Sequence, residues 1–470
     1  VTWARVRPPA GKEWSDAIPD LLASPIALRR IAVGFLRLWL TRLRSRSSFA
    51  AMFRVVMMRA ASLGTTVLTG LLTAATLGPT GRGEQAAMIL APQFLAGLSS
   101  LGLHAALIYA MKTDPERQWE YLGANLIMTA ASATVASVIG WAVLPWWLSG
   151  YSSDVVSVAQ ALVWITPMLA MSWCYTAAAE ARGLFGFANT MANMQSLFVL
   201  AALALFITMH WLTPIRSACI YIFASVPVFA GMIWRLGRDG VPVPTLRLAV
   251  IRPLLHYGLR FYGTDLLGTL HGYLDQIVIL PFLTPAQIGI YVVASSLART
   301  LRILADAVSS VLFPSLAGTS TPAILAMVFK TLRVTVAINF VLSLVLCLGA
   351  HFLLHLIYGD RFSSGTLSLQ ILLAATLFQN AAAILYQALG AAGRPEMVTL
   401  IEVVGTSSSF GLMLLLVPRF GIRGAASAIF LASILRFVAT VVVLPRVLAV
   451  DFRLLILGRS RLAVEPAAEV

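Results

Sequence analysis

The sequence predicts an all-α, polytopic membrane protein with twelve transmembrane helices in two six-helix lobes around a central cavity. Three observations predict it. Of 470 residues, 59% are hydrophobic and 11% charged, with a mean hydropathy of +0.86, whereas soluble domains carry about a quarter of their residues as charges. Apolar runs long enough to cross hydrocarbon, about 20 residues, recur twelve times. The two sets of six runs also share turn signals at nearly one offset, the mark of an internal repeat.

Residues 1–50 are a basic segment in which Arg29, Arg30, Arg37, Arg42, Arg44 and Arg46 alternate with Leu36, Trp39, Leu40 and Leu43. That pattern suits an interfacial helix on an anionic leaflet or a mobile basic tail, and both readings stand. It lacks the form of a signal or transit peptide, because Glu13, Asp16 and Asp20 precede its only apolar stretch. Met52 and Met57 offer internal starts.

Residues 51–235 hold the first lobe, with spans at 54–77, 85–110, 121–148, 156–179, 190–212 and 216–234. A linker at 236–256, with Pro242 and Pro244, follows. Residues 257–448 hold the second lobe, with spans at 257–282, 287–313, 332–357, 366–389, 397–417 and 424–445, and 449–470 form a tail. Span 1 exits through Leu77-x-Pro79 with Gly83 four residues on. Span 7 exits through Leu283-x-Pro285 with Gly289, 206 residues later. Gly183-x-x-Gly186 after span 4 matches Gly390-x-x-Gly393 after span 10, 207 later, and Pro214 matches Pro418, 204 later. Six-span repeats keep one orientation, so the lobes are related by an axis along the membrane normal.

Orientation follows the basic residues. Twenty-three lie on the termini and even-numbered loops and five on the odd-numbered loops, which puts both termini and the linker in the cytoplasm. The net charge of +15 therefore does not mark a nucleic-acid binder, since long apolar runs separate the charges. Cys174, Cys219 and Cys347 sit inside apolar runs, with no disulfide framework and no CxxC metal pattern.

Polar groups in hydrocarbon must face a cavity or another helix. Span 1 carries Arg59, Ser62, Thr66, Thr69 and Thr73 on one helical face, and span 2 carries Gln93, Gly97, Ser100 and His104. Span 7 carries Asp265, Gly268, Gly272 and Asp275, with His271 alongside. Span 8 carries Ser295, Arg299, Arg302, Asp306 and Ser309. Thr376, Gln379 and Asn380 lie in span 10, and Glu402, Thr406 and Ser409 in span 11. The expected cavity wall is thus Ser62, Thr66, Thr69, Gln93, Gln379 and Asn380. Arg59, Arg299 and Arg302 read as cationic contacts for an anionic head group, guanidinium being suited to bidentate phosphate contacts. Arg302 can equally pair with Asp306 at i,i+4, whereas Arg299 has no partner at i+3 or i+4. Asp265, Asp275, Asp306 and Glu402 serve ion coupling or pairing. For Asp265 and Asp275, pairing with an arginine across the cavity is the expected role, while Glu402 is either a neutral carboxyl or a site component. His104 and His271 read as hydrogen-bonded packing residues, and no metal site is expected.

The run from Leu274 to Gly318 resembles the span 7–8 region of polysaccharide flippases: an aspartate (Asp275), an apolar run, a Gly-x-Tyr turn (Gly289, Tyr291) and a helix ending in Pro314. LGPTGRGEQA after span 1 and Pro418-x-x-Gly421-x-x-Gly424 before span 12 are similar to other segments of that family. Over residues 52–448 the chain resembles the Wzx-type flippases of the multidrug/oligosaccharidyl-lipid/polysaccharide exporter superfamily. The resemblance implies movement of an undecaprenyl-diphosphate-linked oligosaccharide from the cytoplasmic to the periplasmic leaflet of the bacterial inner membrane. It implies alternating access, no cofactor, membrane lipids and lipid-linked oligosaccharide as partners, and a polysaccharide polymerase or export machinery as a further partner. The alternative is a cation-coupled multidrug antiporter of the same superfamily, which would use Asp265, Asp275 and Glu402. A peptidoglycan-precursor flippase usually has two further helices. A major-facilitator sugar porter normally has a Gly-x-x-x-Asp-Arg-type loop where this chain has MKTDPERQWE. An enzyme is not expected, because the loops are short and no His/Asp/Glu cluster fits.

Overall fold

The computed structural model describes residues 48–316 and 321–448, and from Ser62 onward the described residues belong to one compact unit. In lipid each backbone N–H and C=O must find its partner within the same segment, so the apolar runs become helices even where they are rich in Val and Ile. The helices are α1 (Ser48–Leu98), α2 (Leu103–Thr113), α3 (Gln118–Trp147), α4 (Ser153–Val163), α5 (Thr166–Ala181), α6 (Phe185–Thr208), α7 (Pro214–Phe223) and α8 (Ser225–Gly237). The second half follows with α9 (Leu248–Ile279), α10 (Pro285–Thr300), α11 (Arg302–Leu316), α12 (Thr321–Leu348), α13 (Ala350–Tyr358), α14 (Thr366–Ala391) and α15 (Pro395–Leu448).

All twelve expected spans fall on these helices, though the match is not one to one. Helix α1 carries span 1 and part of span 2 across a kink at Gly78, and α15 carries spans 11 and 12 across a kink at Gly421. Spans 2, 4, 6, 8 and 9 are each broken into two helices. Among the described residues seven helical stretches are long and apolar enough to cross a membrane, or nine if each bent pair counts as one. Helix α9 falls outside that set. Arg260, Asp265, His271 and Asp275 lower its hydropathy, and it is one of the elements on which the two halves meet. Tyr262 donates its hydroxyl to the Leu98 carbonyl (2.7 Å), and the Trp147 indole N–H donates to the Ile277 carbonyl (3.1 Å).

Three large apolar cores, with two smaller clusters beside them, hold the assembly. One joins both halves, with Met88, Leu144 and Leu148 of the first against Ile279, Tyr291 and Phe362 of the second. A second packs α2, α3, α5 and α8 with the start of α9, and a third packs α11, α12, α14 and α15.

The repeat is visible as a reciprocal contact. A methyl group on Gly83 would collide with the Pro285 carbonyl and meet the Gly289 amide. A methyl group on Gly289 would collide with the Pro79 carbonyl and meet the Gly83 amide. The two Pro-x-x-x-Gly turns thus lock backbone to backbone, which only glycine permits. A second sequence match needs correction. The residues that share a function are Gly183 (φ 75°) and Gly393 (φ 73°), each just past the C-cap of α5 and α14. Gly183 therefore pairs with Gly393 rather than Gly390, because the left-handed residue that ends a helix is what the turn requires.

Candidate functional site

Span 8 breaks at Leu301, between α10 and α11, and this break places Arg299 and Arg302 on either side of an interrupted helix. Asn380 of α14 braces it by donating its amide to the Leu301 carbonyl (3.1 Å). A non-helical stretch at membrane depth is tolerated where protein or a cavity satisfies the freed backbone.

Beside the break lies a cavity of about 210 Å³. Helix α9 contributes His271 and Asp275, α10 contributes Ser295 and Arg299, α11 contributes Arg302, α14 contributes Thr376 and Gln379, and α15 contributes Ser409 and Arg436. A second cavity of about 260 Å³ shares His271 and Arg302 and is lined also by Thr264, Gly268, Thr399 and Glu402. Both cavities are walled by residues of the second half alone.

The charges are paired. Asp275, 6% exposed, accepts from the Arg299 guanidinium through both oxygens (2.9 and 3.1 Å) and from the Tyr291 hydroxyl (3.1 Å). Arg299 also donates to the Gly272 carbonyl (3.0 Å), so it is clamped to α9 while nearly half of its side chain stays open to the cavity. Arg302 contacts His271 Nε2 (2.7 Å) and lies 3.9 Å from Asp306. Since guanidinium only donates, Nε2 accepts and the ring proton sits on Nδ1. Nδ1 faces Glu402 at 3.7 Å, and Glu402 lies 3.4 Å from the Arg436 Nε. Arg436 is 7% exposed and donates to the Thr406 hydroxyl (3.0 Å). The chain Arg302–His271–Glu402–Arg436 thus links α11, α9 and both halves of α15.

Set against the sequence expectations, Arg299, Arg302 and Gln379 line the first cavity, where Gln379 donates to the Ser433 hydroxyl (3.0 Å). Asn380 is instead a brace for the helix break. Thr69 donates to the carbonyl of Thr66 in its own helix (3.0 Å). Neither of these threonines nor Gln93 lies in the lining of either cavity. A hydroxyl satisfied by the preceding turn needs no polar cavity, so a threonine stripe is weak evidence for one. The side chains of Arg59 and Ser62 lie outside the described residues. Asp275 has the expected arginine partner, 24 residues on. Asp265 does not: it faces His104 (3.3 Å) and the Ser100 hydroxyl (3.4 Å), since α9 turns that residue toward the junction of α1 and α2. Sequence reasoning passed over Arg436. Its signal was a lone arginine in an apolar span with Ser433 and Thr440 one turn away on either side. Among the described residues no three His, Cys, Asp or Glu side chains converge as a metal site.

The broken helices and the arginine-lined cavity within them define a polytopic α-helical membrane protein. A sequence model of the polysaccharide biosynthesis protein family matches residues 71–366, and the chain belongs to that family, among the Wzx-type flippases of the exporter superfamily. The probable low-salt glycan biosynthesis flippase Agl15 of Haloferax volcanii is 22% identical over 213 residues, covering 43% of this chain and 44% of that protein. The probable flippase AglR of the same organism is 24% identical over 217 residues, covering 43% of this chain and 46% of that protein. The chain thus spans less than half the length of the curated relatives it matches. Among solved structures, the lipid II flippase MurJ in an inward closed conformation aligns with a TM-score of 0.72 at 13% identity, over 83% of this chain and 87% of that one. An inward-facing multidrug resistance transporter of the MATE family aligns with a TM-score of 0.67 at 12% identity, over 84% and 98%. At this identity the likenesses establish the fold: two six-helix lobes related by a pseudo-two-fold repeat.

Proposed function

We propose that the protein moves a lipid-linked oligosaccharide with a diphosphate head, of the undecaprenyl-diphosphate class, from the cytoplasmic to the periplasmic leaflet of a bacterial inner membrane. The reading includes cytoplasmic termini, lobes at 51–235 and 257–448 that rock about the linker 236–256, and delivery to polysaccharide polymerase or export machinery. The observation that carries it is the cavity that Arg299, Arg302 and Arg436 share. Charged side chains at membrane depth are costly to desolvate even when paired, so three arginines around one cavity, each held by a partner, call for a purpose. Planar guanidinium groups suit phosphate oxygens, and the polar side chains of Gln379, Thr376 and Ser409 line the same cavity. Both curated relatives are named as probable flippases, one of them in glycan biosynthesis, which supports a flippase reading.

A null strain tests the proposal: lipid-linked saccharide accumulates on the cytoplasmic side and is cleared by the wild-type gene. Normally inserted protein carrying Arg299→Ala, Arg302→Ala or Arg436→Ala fails to clear it. Full clearance by all three variants sinks the cationic-cavity reading. The antiporter alternative rests on the MATE-like fold and on Asp265, Asp275 and Glu402, but each of these carboxylates faces an arginine or histidine. Cation-driven dye efflux from vesicles, insensitive to lipid-linked saccharide, would favour it.

A further inference from the structure

The cavity arginines carry their own anions. Asp275 holds Arg299 by two contacts, and Glu402 holds Arg436. Each carboxylate also has a second partner that is not an arginine. The hydroxyl of fully buried Tyr291 donates to Asp275, and His271 Nδ1 faces Glu402. A released Asp275 or Glu402 therefore keeps one polar contact, which offsets only part of the cost of an unpaired charge in a low-dielectric interior.

We propose that Asp275 and Glu402 are specificity-determining residues: internal anions that occupy the cavity arginines until a ligand with two adjacent phosphate charges displaces them. This rests on the reading of the cavity as a lipid-diphosphate site and adds how that site rejects its commonest competitor. Any membrane surrounds the cavity with anionic phospholipid, whose head carries one phosphodiester charge. Such a head exchanges one guanidinium–carboxylate pair for one guanidinium–phosphate pair and strands the carboxylate, and the tethered carboxylate has the advantage of effective concentration. A diphosphate brings more charge and more acceptor oxygens to the same small volume. It engages Arg299 together with Arg302, whose nearest carboxylate lies 3.9 Å away, and this second engagement offsets the released carboxylate. Specificity then comes from an element that repels the wrong ligand as well as from contacts to the right one.

The test measures binding of two probes, undecaprenyl diphosphate and phosphatidylglycerol, to the purified full chain by native mass spectrometry. Wild type is expected to prefer the diphosphate. In Asp275→Asn and Glu402→Gln, phosphatidylglycerol binding rises about tenfold and the preference collapses, because the arginines are set free. Glu402→Asp, which keeps the charge but shortens its reach, gives an intermediate rise and decides the point if Glu402→Gln strands Arg436 and fails to fold. A merely structural role predicts the opposite sign, with weaker binding of both probes. Unchanged or weaker phosphatidylglycerol binding in these folded variants overturns the proposal while leaving the diphosphate site intact. A wild type without preference for the diphosphate overturns the functional reading itself.

Discussion

Shifted back by the 206 residues that separate Pro79 from Pro285, Asp275 falls on Thr69 and Arg299 on Gln93. The second half places a bidentate ion pair at these two positions, facing a cavity. The first half places a threonine, 3% exposed and bonded to its own helix, and a half-buried glutamine outside either lining. The backbone around them is shared closely enough that Gly83 and Gly289 meet as mirror partners. The scaffold was repeated and the chemistry was not. A neutral hydroxyl satisfies itself within one turn, whereas a charge must recruit neighbours from other helices, and that recruitment builds the site.

Removing one charge is the strongest way to break this contrast. Arg299→Gln leaves Asp275 buried with only the Tyr291 hydroxyl, and the expected loss is about 3–5 kcal/mol of stability, read as thermal unfolding of the detergent-solubilised protein. The double variant Arg299→Gln/Asp275→Asn recovers most of that stability and none of the export. If Arg299→Gln costs no more than Gln93→Ala, the two halves do not differ in the way argued.

The shared scaffold can be attacked separately. Gly83→Ala and Gly289→Ala each drive a methyl group into a backbone carbonyl across the junction of the halves. Overpacking of this kind costs about 1–3 kcal/mol. Because the contact is reciprocal, the two variants should lose stability and export to the same extent. Unequal losses would show that the repeat is not symmetric there. A comparable effect belongs to Asn380→Ala, which removes the Asn380 amide from the Leu301 carbonyl at about 1–3 kcal/mol for an unsatisfied buried group. It is checked by unfolding together with the affinity of the cavity for undecaprenyl diphosphate, since Arg299 and Arg302 flank the unbraced break.

The sequence makes the twelve spans legible because hydropathy is a local property, and even the polar α9 could be placed from its flanking turns. The site was legible only as far as single helices reach. Testing Arg299 at i+3 and i+4 missed Asp275 because the partner sits on the preceding span, across the Pro285 turn. Glu402 and Arg436 looked unrelated because 34 residues and the kink at Gly421 separate them, yet those features fold α15 back on itself and bring them together. Arg436 had only Ser433 and Thr440, one turn to either side, to announce it. Conversely, the threonine face of span 1 carried a regular period and yet lies in the lining of neither cavity.

Thr69→Val offers the finest test of that last point. The Thr69 hydroxyl donates to the Thr66 carbonyl, a group available to the helical N–H ladder whether or not the hydroxyl is present. Valine keeps the branched shape and removes only a local bond, and hydrogen bonds inside membrane proteins average about 0.6 kcal/mol in double-mutant cycles. The expected change in unfolding temperature is therefore close to the limit of measurement, with export unaltered. Its counterpart Asp275→Val strands Arg299 and should abolish export. Were Thr69→Val to stop export in normally inserted protein, the first half would have to contribute a polar wall in some other state of the transport cycle. The division of labour between the halves would then belong to one conformation rather than to the protein.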